Sequence, residues 1–343
     1  MLKAVPLGQK CGMKVSELCL GTMNFGVPGS GMHGDWTLTE DQAKPIFRAA
    51  FEHGLLYFDC ADNYGLGASE TVVGSILRSM FNRSEYVITT KVSYPMGDAP
   101  NLAGLTRKHI IEGIDSSLQR LGLDYVDQLI IHRHPHGIRN QPPTPIEETM
   151  EALHDVVKAG KALYLGASSM FTWQFVELQW VAKLNGWTEF VSMQNHYNLI
   201  YREEEREMIP YCKSTGIALT PWSPLARGIL AGSYGSSLKK GKTQRSSGRD
   251  AKRTASLYQG DADFKIAARV AEIARKYGKK PSQIAIAWLT NKSEITAPIV
   301  GVSKVEQLTE LAEATSITLE EEDVTYLEEL YQPVENLLAL GSS

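Results

Sequence analysis

Eight short apolar runs recur along this chain, and nearly every one is followed by a stretch with helical periodicity. The runs are ELCLGT (17–22), LLYFD (55–59), YVITTK (86–91), VDQLIIH (126–132), ALYLGAS (162–168), FVSMQN (190–195), GIALTP (216–221) and TAPIVG (296–301). Between them, apolar residues at i, i+3 and i+4 predict helices over 69–80, 106–121, 145–159, 171–185 and 202–215. Thr106 is placed to cap its helix, and Pro145 suits a first turn. Thr39 and Gln42 form a capping box ahead of 39–53, where Pro45 is expected to bend or delay the helix. Strands that alternate with helices pair in parallel and carry the helices outside. With 343 residues, the chain fits one closed (β/α)8 TIM barrel, which takes ~250 residues plus insertions. The expectation is therefore a single α/β domain over 1–343.

A doubly wound open sheet is the rival, and its dinucleotide turn would follow the first strand directly. GSGMHG (29–34) matches GxGxxG in letters, but DWTLTE follows it in place of a helix, so the match is weak. The net charge of -4 gives no general attraction to nucleic acid or to an anionic membrane. No run approaches ~18 apolar residues, and MLKAVPLGQK lacks the ~7–15-residue apolar core of a secretory signal. Cys11, Cys19, Cys60 and Cys212 are scattered without a CxxC pair, which implies reduced thiols and a cytoplasmic protein. The basic cluster KKGKTQRSSGRDAKR (239–253) reads as a solvated loop, with anion binding as the alternative.

On a barrel, the C-terminal strand ends share one mouth. Four polar residues converge there: Asp59 ends the second strand, Tyr64 lies just past it, and Lys91 and His132 end the third and fourth. Singly, each has a structural explanation as a turn cap, packing or a polar strand end. Together they form a proton-handling set. A tyrosine titrates near ~10, and an adjacent ammonium favours its phenolate and lowers that value. A carboxylate beside the lysine keeps the ammonium charged, and a histidine can hold a carbonyl oxygen in line with the phenol. Such a group can act as general acid to an oxygen that gains negative charge.

FDCADNYGLGASETVVGSIL resembles the first signature of the aldo-keto reductases, with Cys60 where threonine is more usual. VITTKV, RLGLDYVDQLIIHRHP, PIEETMEALHDVVKAGKALYLGASS, SMQNHYN, TPWSPLARG and IVGVSKVEQLTEL extend the resemblance through nearly the whole chain in the family's order. The wording is closest to the branch holding aryl-alcohol dehydrogenases and the versiconal hemiacetal acetate reductase type. The resemblance implies that NADPH delivers a hydride to an aldehyde or ketone, and that Tyr64 protonates the oxygen. Lys91 and Asp59 would support Tyr64, and His132 would orient the substrate.

The resemblance also implies a cofactor site. Gly21, Thr22, Met23 and Asp59 would border it, Ser168, Ser169 and Gln194 would hold the nicotinamide amide, and Trp222 would stack on the ring. Ser223, Leu225, Arg227 and Gly228 would line the pyrophosphate, within a cofactor-side loop at about 225–262. Ser303, Lys304 and Gln307 match the adenosine-phosphate segment, with Glu310 near the adenine. The chain departs from the family at Ser169 and Leu311, where asparagine is usual in both places. The residues of 299–314 agree on their own terms. A helix starts at once after a strand, so free N–H groups and Lys304 would meet an anion.

Two other readings remain open at this point. His132, His134 and His136 alternate as metal ligands on a strand would, which suggests a metal-dependent barrel hydrolase. Against it, Pro135 breaks the run and no acidic residue follows at ligand spacing, so no metal is expected. A cofactor-binding regulatory subunit of reductase fold with little turnover is the third reading. Met23, Phe25, Tyr94, Met96 and Arg133 are expected to rim the mouth, and such a rim suits a bulky or aryl carbonyl compound. The partner expected is a small-molecule carbonyl substrate, with neither nucleic acid nor membrane.

Overall fold

The computed structural model describes residues 1–30, 36–136, 143–234, 237–238, 250–258 and 260–334. The chain starts with an antiparallel hairpin of β1 (Ala4–Pro6) and β2 (Lys14–Ser16). Eight parallel strands follow: β3 (Cys19–Gly21), β4 (Tyr57–Asp59), β5 (Val87–Val92), β6 (Val126–Ile131), β7 (Ala162–Ser168), β8 (Phe190–Gln194), β9 (Ala218–Leu219) and β10 (Ile299–Val300). They pair in the order β10-β3-β4-β5-β6-β7-β8-β9. The Ile299 N–H donates to the Pro221 carbonyl at 2.8 Å, and Leu219 bridges Ile295, so the curled sheet is drawn together at β9 and β10. This is the (β/α)8 barrel expected from the alternation.

Helices ring the sheet in chain order: α1 (Glu40–Glu52), α2 (Ala68–Met80), α3 (Arg107–Leu121), α4 (Ile146–Lys158), α5 (Thr172–Asn185) and α6 (Met208–Thr215). Beyond them come α7 (Asp250–Leu257), α8 (Asp261–Tyr277), α9 (Pro281–Thr290), α10 (Val305–Ala314) and α11 (Glu321–Glu328). Consecutive helices from α1 to α5 pack side by side, and α10 lies against α1. The main core fills the layer between sheet and helices, with Phe47, Phe58, Ile88, Ile114, Leu153 and Trp288 among its members. A smaller cluster of Leu7, Val15, Cys19, Tyr57, Val191 and Ala218 joins the hairpin to residues at the starts of the strands. The hairpin therefore covers the end of the barrel opposite the candidate site.

Several local features depart from the sequence pattern. Helix α1 begins at Glu40 with no delay, although Pro45 lies inside it. The Thr39 N–H donates to Gln42 Oε1 at 3.0 Å, and Ala43, Ile46, Phe47 and Ala50 bury the inner face. That burial outweighs the one lost helix bond. The expected helix over 202–215 is instead a single 3-10 turn at Glu203–Glu205 followed by α6. Pro210 explains the break, since in a continuous helix its ring would meet the carbonyl of Arg206. Of the basic cluster, 250–253 belongs to α7, and 239–249 lies outside the described residues. The last four residues of GSGMHG lie outside them as well. Among the described residues, no helix is long and apolar enough to cross a membrane.

Candidate active site

The site grows out of strand register. Asp59 ends β4 and pairs with Thr89 of β5, so Thr89 and Lys91, two residues apart, point to one side. The Lys91 side chain is 0% exposed. An ammonium so placed must satisfy all three protons inside the protein. It does: Nζ donates to Asp59 Oδ2 at 2.6 Å, to the Cys60 carbonyl at 2.8 Å and to Tyr64 Oη at 3.2 Å. Burial works against the charged lysine, but Asp59 and then Tyr64 outweigh it and hold the ammonium above the ordinary lysine value. Residue 60 reaches Lys91 through its backbone carbonyl, so cysteine serves there as well as threonine.

Asp59 is held from its other oxygen. Oδ1 accepts from Thr89 Oγ1 and from Gln194 Nε2, each at 2.9 Å. Tyr64 is carried by the turn after β4, where its N–H bonds the Ala61 carbonyl at 3.2 Å. Gly65, Leu66 and Gly67 then take φ values of 58°, 51° and 91° to swing the chain into α2. A Cβ at Gly67 would sit 2.4 Å from Arg120 Cδ, so the turn requires glycine there. His132 follows β6, with its N–H on the Val92 carbonyl at 3.0 Å. Its ring lies edge-on to Tyr64 at 6.0 Å and edge-on to Tyr94 at 4.8 Å.

The Tyr64 phenol departs from the sequence expectation. Burial pushes it up to about 12, and the opposing pull of Lys91 recovers only part of that shift. The hydroxyl therefore stays protonated at neutral pH, ready to donate a hydrogen bond and then a proton. Asp62, the second carboxylate of FDCADNYG, accepts the Asn63 N–H at 2.6 Å, and burial, with Glu70 beside it, raises it well above the usual range.

A supporting layer escaped the sequence reading. Glu70 is fully buried on α2, where it accepts from Thr90 Oγ1 of β5 and from Arg120 Nε of α3 at 2.6 Å. Thr89 was legible in principle, because its spacing of two from Lys91 puts both on one face.

The residues expected at the cofactor fall into three groups. Gly21 pairs with Asp59, Thr22 Oγ1 donates to the Asp59 carbonyl at 2.9 Å, and Met23 is half-buried beside them. Ser168 and Ser169 place their hydroxyls 3.3 Å apart, and Trp222 Nε1 donates to Ser169 Oγ at 2.9 Å. The Gln194 amide nitrogen donates to Asp59 Oδ1, which ties that side chain to the carboxylate. The Trp222 ring stacks at 4.2 Å and 11° on His196, which is itself stacked on Tyr201. Ser169 has φ 49°, a left-handed conformation that asparagine adopts more readily than serine.

The second group, Ser223, Leu225, Arg227 and Gly228, follows β9. Left-handed φ values at Ser223 (54°), Ala226 (46°), Arg227 (55°) and Gly228 (99°) curl the backbone into the kind of concave turn that cradles an anion. The third group opens α10. Ser303 and Lys304 are exposed, but the Ser303 N–H is taken by Gln307 Oε1 at 2.8 Å, so that amide is not free as expected. Glu310 is paired with Lys280. Leu311 packs into the core and offers no polar group.

Of the expected rim, Phe25 belongs to the core. It is 1% exposed and packs 5.3 Å from Phe47, because its N–H bonds the Thr22 carbonyl and turns the ring inward. His132, His134 and His136 diverge after the strand ends at Ile131. His132 faces Tyr64 and Tyr94, while His134 and His136 meet each other at 5.0 Å. Among the described residues, no three metal-ligating side chains converge.

Residues 17–332 match the Aldo/keto reductase family. The chain belongs to that family. It is 40% identical to the versiconal hemiacetal acetate reductase of Aspergillus parasiticus, over 94% of this chain and 95% of that protein. A Schizosaccharomyces pombe protein named as an aryl-alcohol dehydrogenase is 42% identical, with 94% of each chain covered. An aldo-keto reductase of Fusarium vanettenii is 41% identical over 94% of this chain and 90% of its own. The protein is thus an oxidoreductase that reduces small-molecule carbonyl compounds to alcohols, in a family that uses NAD(P)H. At the ends of β7, β9 and β10 the reductase presents polar groups of the right types for such a cofactor: paired serines, a half-buried indole, the curled turn at 223–228 and an exposed lysine at a helix start.

Proposed function

We propose that the reductase uses NADPH to reduce bulky or aryl aldehydes and ketones, with Tyr64 as the general acid. The observation that supports this most is the single ammonium of Lys91, which binds Asp59 and Tyr64 at once inside the barrel. When bound, the cofactor supplies the hydride to the carbonyl carbon. Tyr64 Oη donates its proton to the carbonyl oxygen, so the C=O bond gains one hydride and one proton and becomes an alcohol. The phenolate left on Tyr64 sits against the Lys91 ammonium, which stabilises it most when the charge forms. Asp59 keeps that ammonium charged and positioned. His132 directs a ring nitrogen to the substrate oxygen and sets its approach to Tyr64.

Ser168, Ser169 and Trp222 would hold the nicotinamide end, with Gln194 reaching it from its bond to Asp59 and Gly21, Thr22 and Met23 beside it. Ser223, Leu225, Arg227 and Gly228 would hold the pyrophosphate, and Ser303, Lys304, Gln307 and Glu310 the adenosine end. Positive charge at Lys304 supports NADPH over NADH. The chain works as one domain in the cytoplasm. The test is cofactor oxidation by the pure protein across aryl aldehydes, quinones, aliphatic aldehydes and ketones, with NADPH and NADH in parallel. Turnover of aryl carbonyls with NADPH preferred is the expected result. A protein that oxidises neither cofactor with any of them, or that prefers NADH throughout, overturns the reading.

A further inference from the structure

Three guanidinium groups gather at the barrel mouth around a single carboxylate, Asp250, among the described residues. Arg133, directly after His132, is 8% exposed. Its Nη1 donates to the His132 carbonyl at 2.5 Å, and its guanidinium lies 5.3 Å over the Tyr94 ring, the same ring that packs against the His132 imidazole. Arg253 comes from α7, which is tied to the segments after β8 and β9 at two points. Arg227 Nε donates to Thr254 Oγ1 at 3.0 Å, and the Tyr258 hydroxyl meets His196 Nε2 at 2.7 Å. From there the half-buried Arg253 side chain lies within electrostatic reach of Tyr94, Arg133, Arg227 and Asp250. Arg227 is paired with Asp250. Among the described residues no carboxylate forms a direct ion pair with Arg133 or Arg253, and the Asp250 carboxylate that Arg253 feels is bound to Arg227.

Charges held this way are costly unless something of opposite sign arrives. The field they make is felt locally. His196 is held well below the ordinary histidine value by burial, and then by Arg253, Arg227 and Arg133. Position separates the arginines by task. Arg227 belongs to the curled turn after β9, on the side of the nicotinamide and phosphate groups. Arg133 sits at the end of β6, one aromatic ring away from the imidazole that faces Tyr64, and Arg253 spans from one side to the other.

We propose that Arg133 and Arg253 form an anion-recognition site in front of Tyr64 and His132, and that the substrate it selects is an aldehyde or ketone bearing a carboxylate. The assignment rests on the reading of Tyr64 and His132 as the carbonyl-handling pair. The carboxylate takes no part in the reaction. It is gripped by the two guanidiniums while the carbonyl at the other end of the molecule is turned towards the phenol, and Tyr94 provides a flat surface between the two.

The test compares 4-formylbenzoate with its methyl ester, which differ in charge at one end alone. In the wild type, kcat/KM should favour the acid by tenfold or more. Arg133→Gln and Arg253→Ala should each lower that acid-to-ester ratio on the order of ten- to a hundredfold, through KM of the acid. Arg253→Ala alters a half-buried helix residue and keeps the test decisive if Arg133→Gln does not fold. Calorimetric titration of benzoate and benzamide into the protein with NADP+ reads the site without turnover. Benzoate should bind more tightly than benzamide, and either substitution should remove the difference. If benzoate binds in this way but neither aldehyde is reduced, the anion site stands and the catalytic reading falls. An unchanged ratio, equal losses for acid and ester, or benzoate no tighter than benzamide overturns the proposal. Loss of cofactor affinity in Arg253→Ala with the ratio intact overturns it too, by assigning Arg253 to the cofactor phosphates.

Discussion

The ends of β4 to β6 and the segments after β9 and β10 both border the barrel mouth, yet they are built by opposite principles. At Asp59, Tyr64 and Lys91, every proton of a fully buried ammonium has a partner, and each carboxylate oxygen is claimed. At 303–310, side chains near the surface engage one another, as Gln307 does with Ser303 and Glu310 with Lys280, and 223–228 is a curled turn of left-handed backbone. On the proposed roles, chemistry tolerates little misplacement, so its groups are locked by the core before any ligand arrives. Binding of a long, flexible cofactor can instead exchange local contacts for new ones. Damage to the first region should therefore reach the fold, and damage to the second should reach affinity alone.

The contrast breaks most visibly at Lys91. Lys91→Met leaves Asp59 buried without its counter-charge, an error that costs about 3–5 kcal/mol. Denaturant unfolding should show that loss, and reductase activity should fall with it by ~10²-fold or more. A variant as stable as wild type would mean that Thr89 and Gln194 alone satisfy Asp59.

A second buried carboxyl sharpens the picture through pH. Burial, partly offset by Asn195, raises Glu204 to about 8. A carboxyl with its folded value raised binds its proton more tightly in the native state, so stability falls as pH climbs from about 4.5 towards 8. Glu204→Gln should remove a few kcal/mol of that decline. Unfolding curves taken between pH 5 and 9 check this, and equal slopes for the two proteins would contradict it.

On the adaptable side, Lys304→Ala should weaken NADPH by ~1.5–3 kcal/mol, one to two decades, with NADH almost untouched and the unfolding midpoint unmoved. Fluorescence titration with both cofactors reads it. Equal losses for NADPH and NADH would move Lys304 to a shared phosphate or to the fold.

The smallest effect is expected at Ser169. Its φ of 49° costs a serine up to ~1 kcal/mol relative to asparagine. Ser169→Asn should therefore raise stability by up to that amount in a thermal melt, and destabilisation would show that the Trp222 bond to Ser169 Oγ matters more than backbone preference.

These regions also differ in how well the sequence disclosed them. Strands rich in β-branched and aliphatic residues and spaced by helical stretches are legible, so VITTKV and VDQLII were plain, and residues at their ends fell into place with them. The hairpin Ala4–Pro6 and Lys14–Ser16 was not, because three residues are too few to show a period. What Tyr64 experiences was also hidden. The sequence shows a lysine near a tyrosine, but the cost of burying the phenol depends on atoms from several strands, and here it exceeds the lysine's pull. Gln194 on Asp59 and Glu70 beneath Thr90 share that origin. Each is a contact between residues far apart in the chain, with no local pattern to mark it.

Tyr64 carries the central claim, and Tyr64→Phe tests it with a change of one oxygen. The rate of cofactor oxidation on the best substrate should fall by ~10²–10⁴-fold while the dissociation constant for NADPH, measured on the same sample, stays within about threefold of wild type. A phenylalanine variant that keeps the wild-type rate would show that the proton comes from another group, and that the buried Asp59–Lys91–Tyr64 cluster serves the barrel and not the reaction.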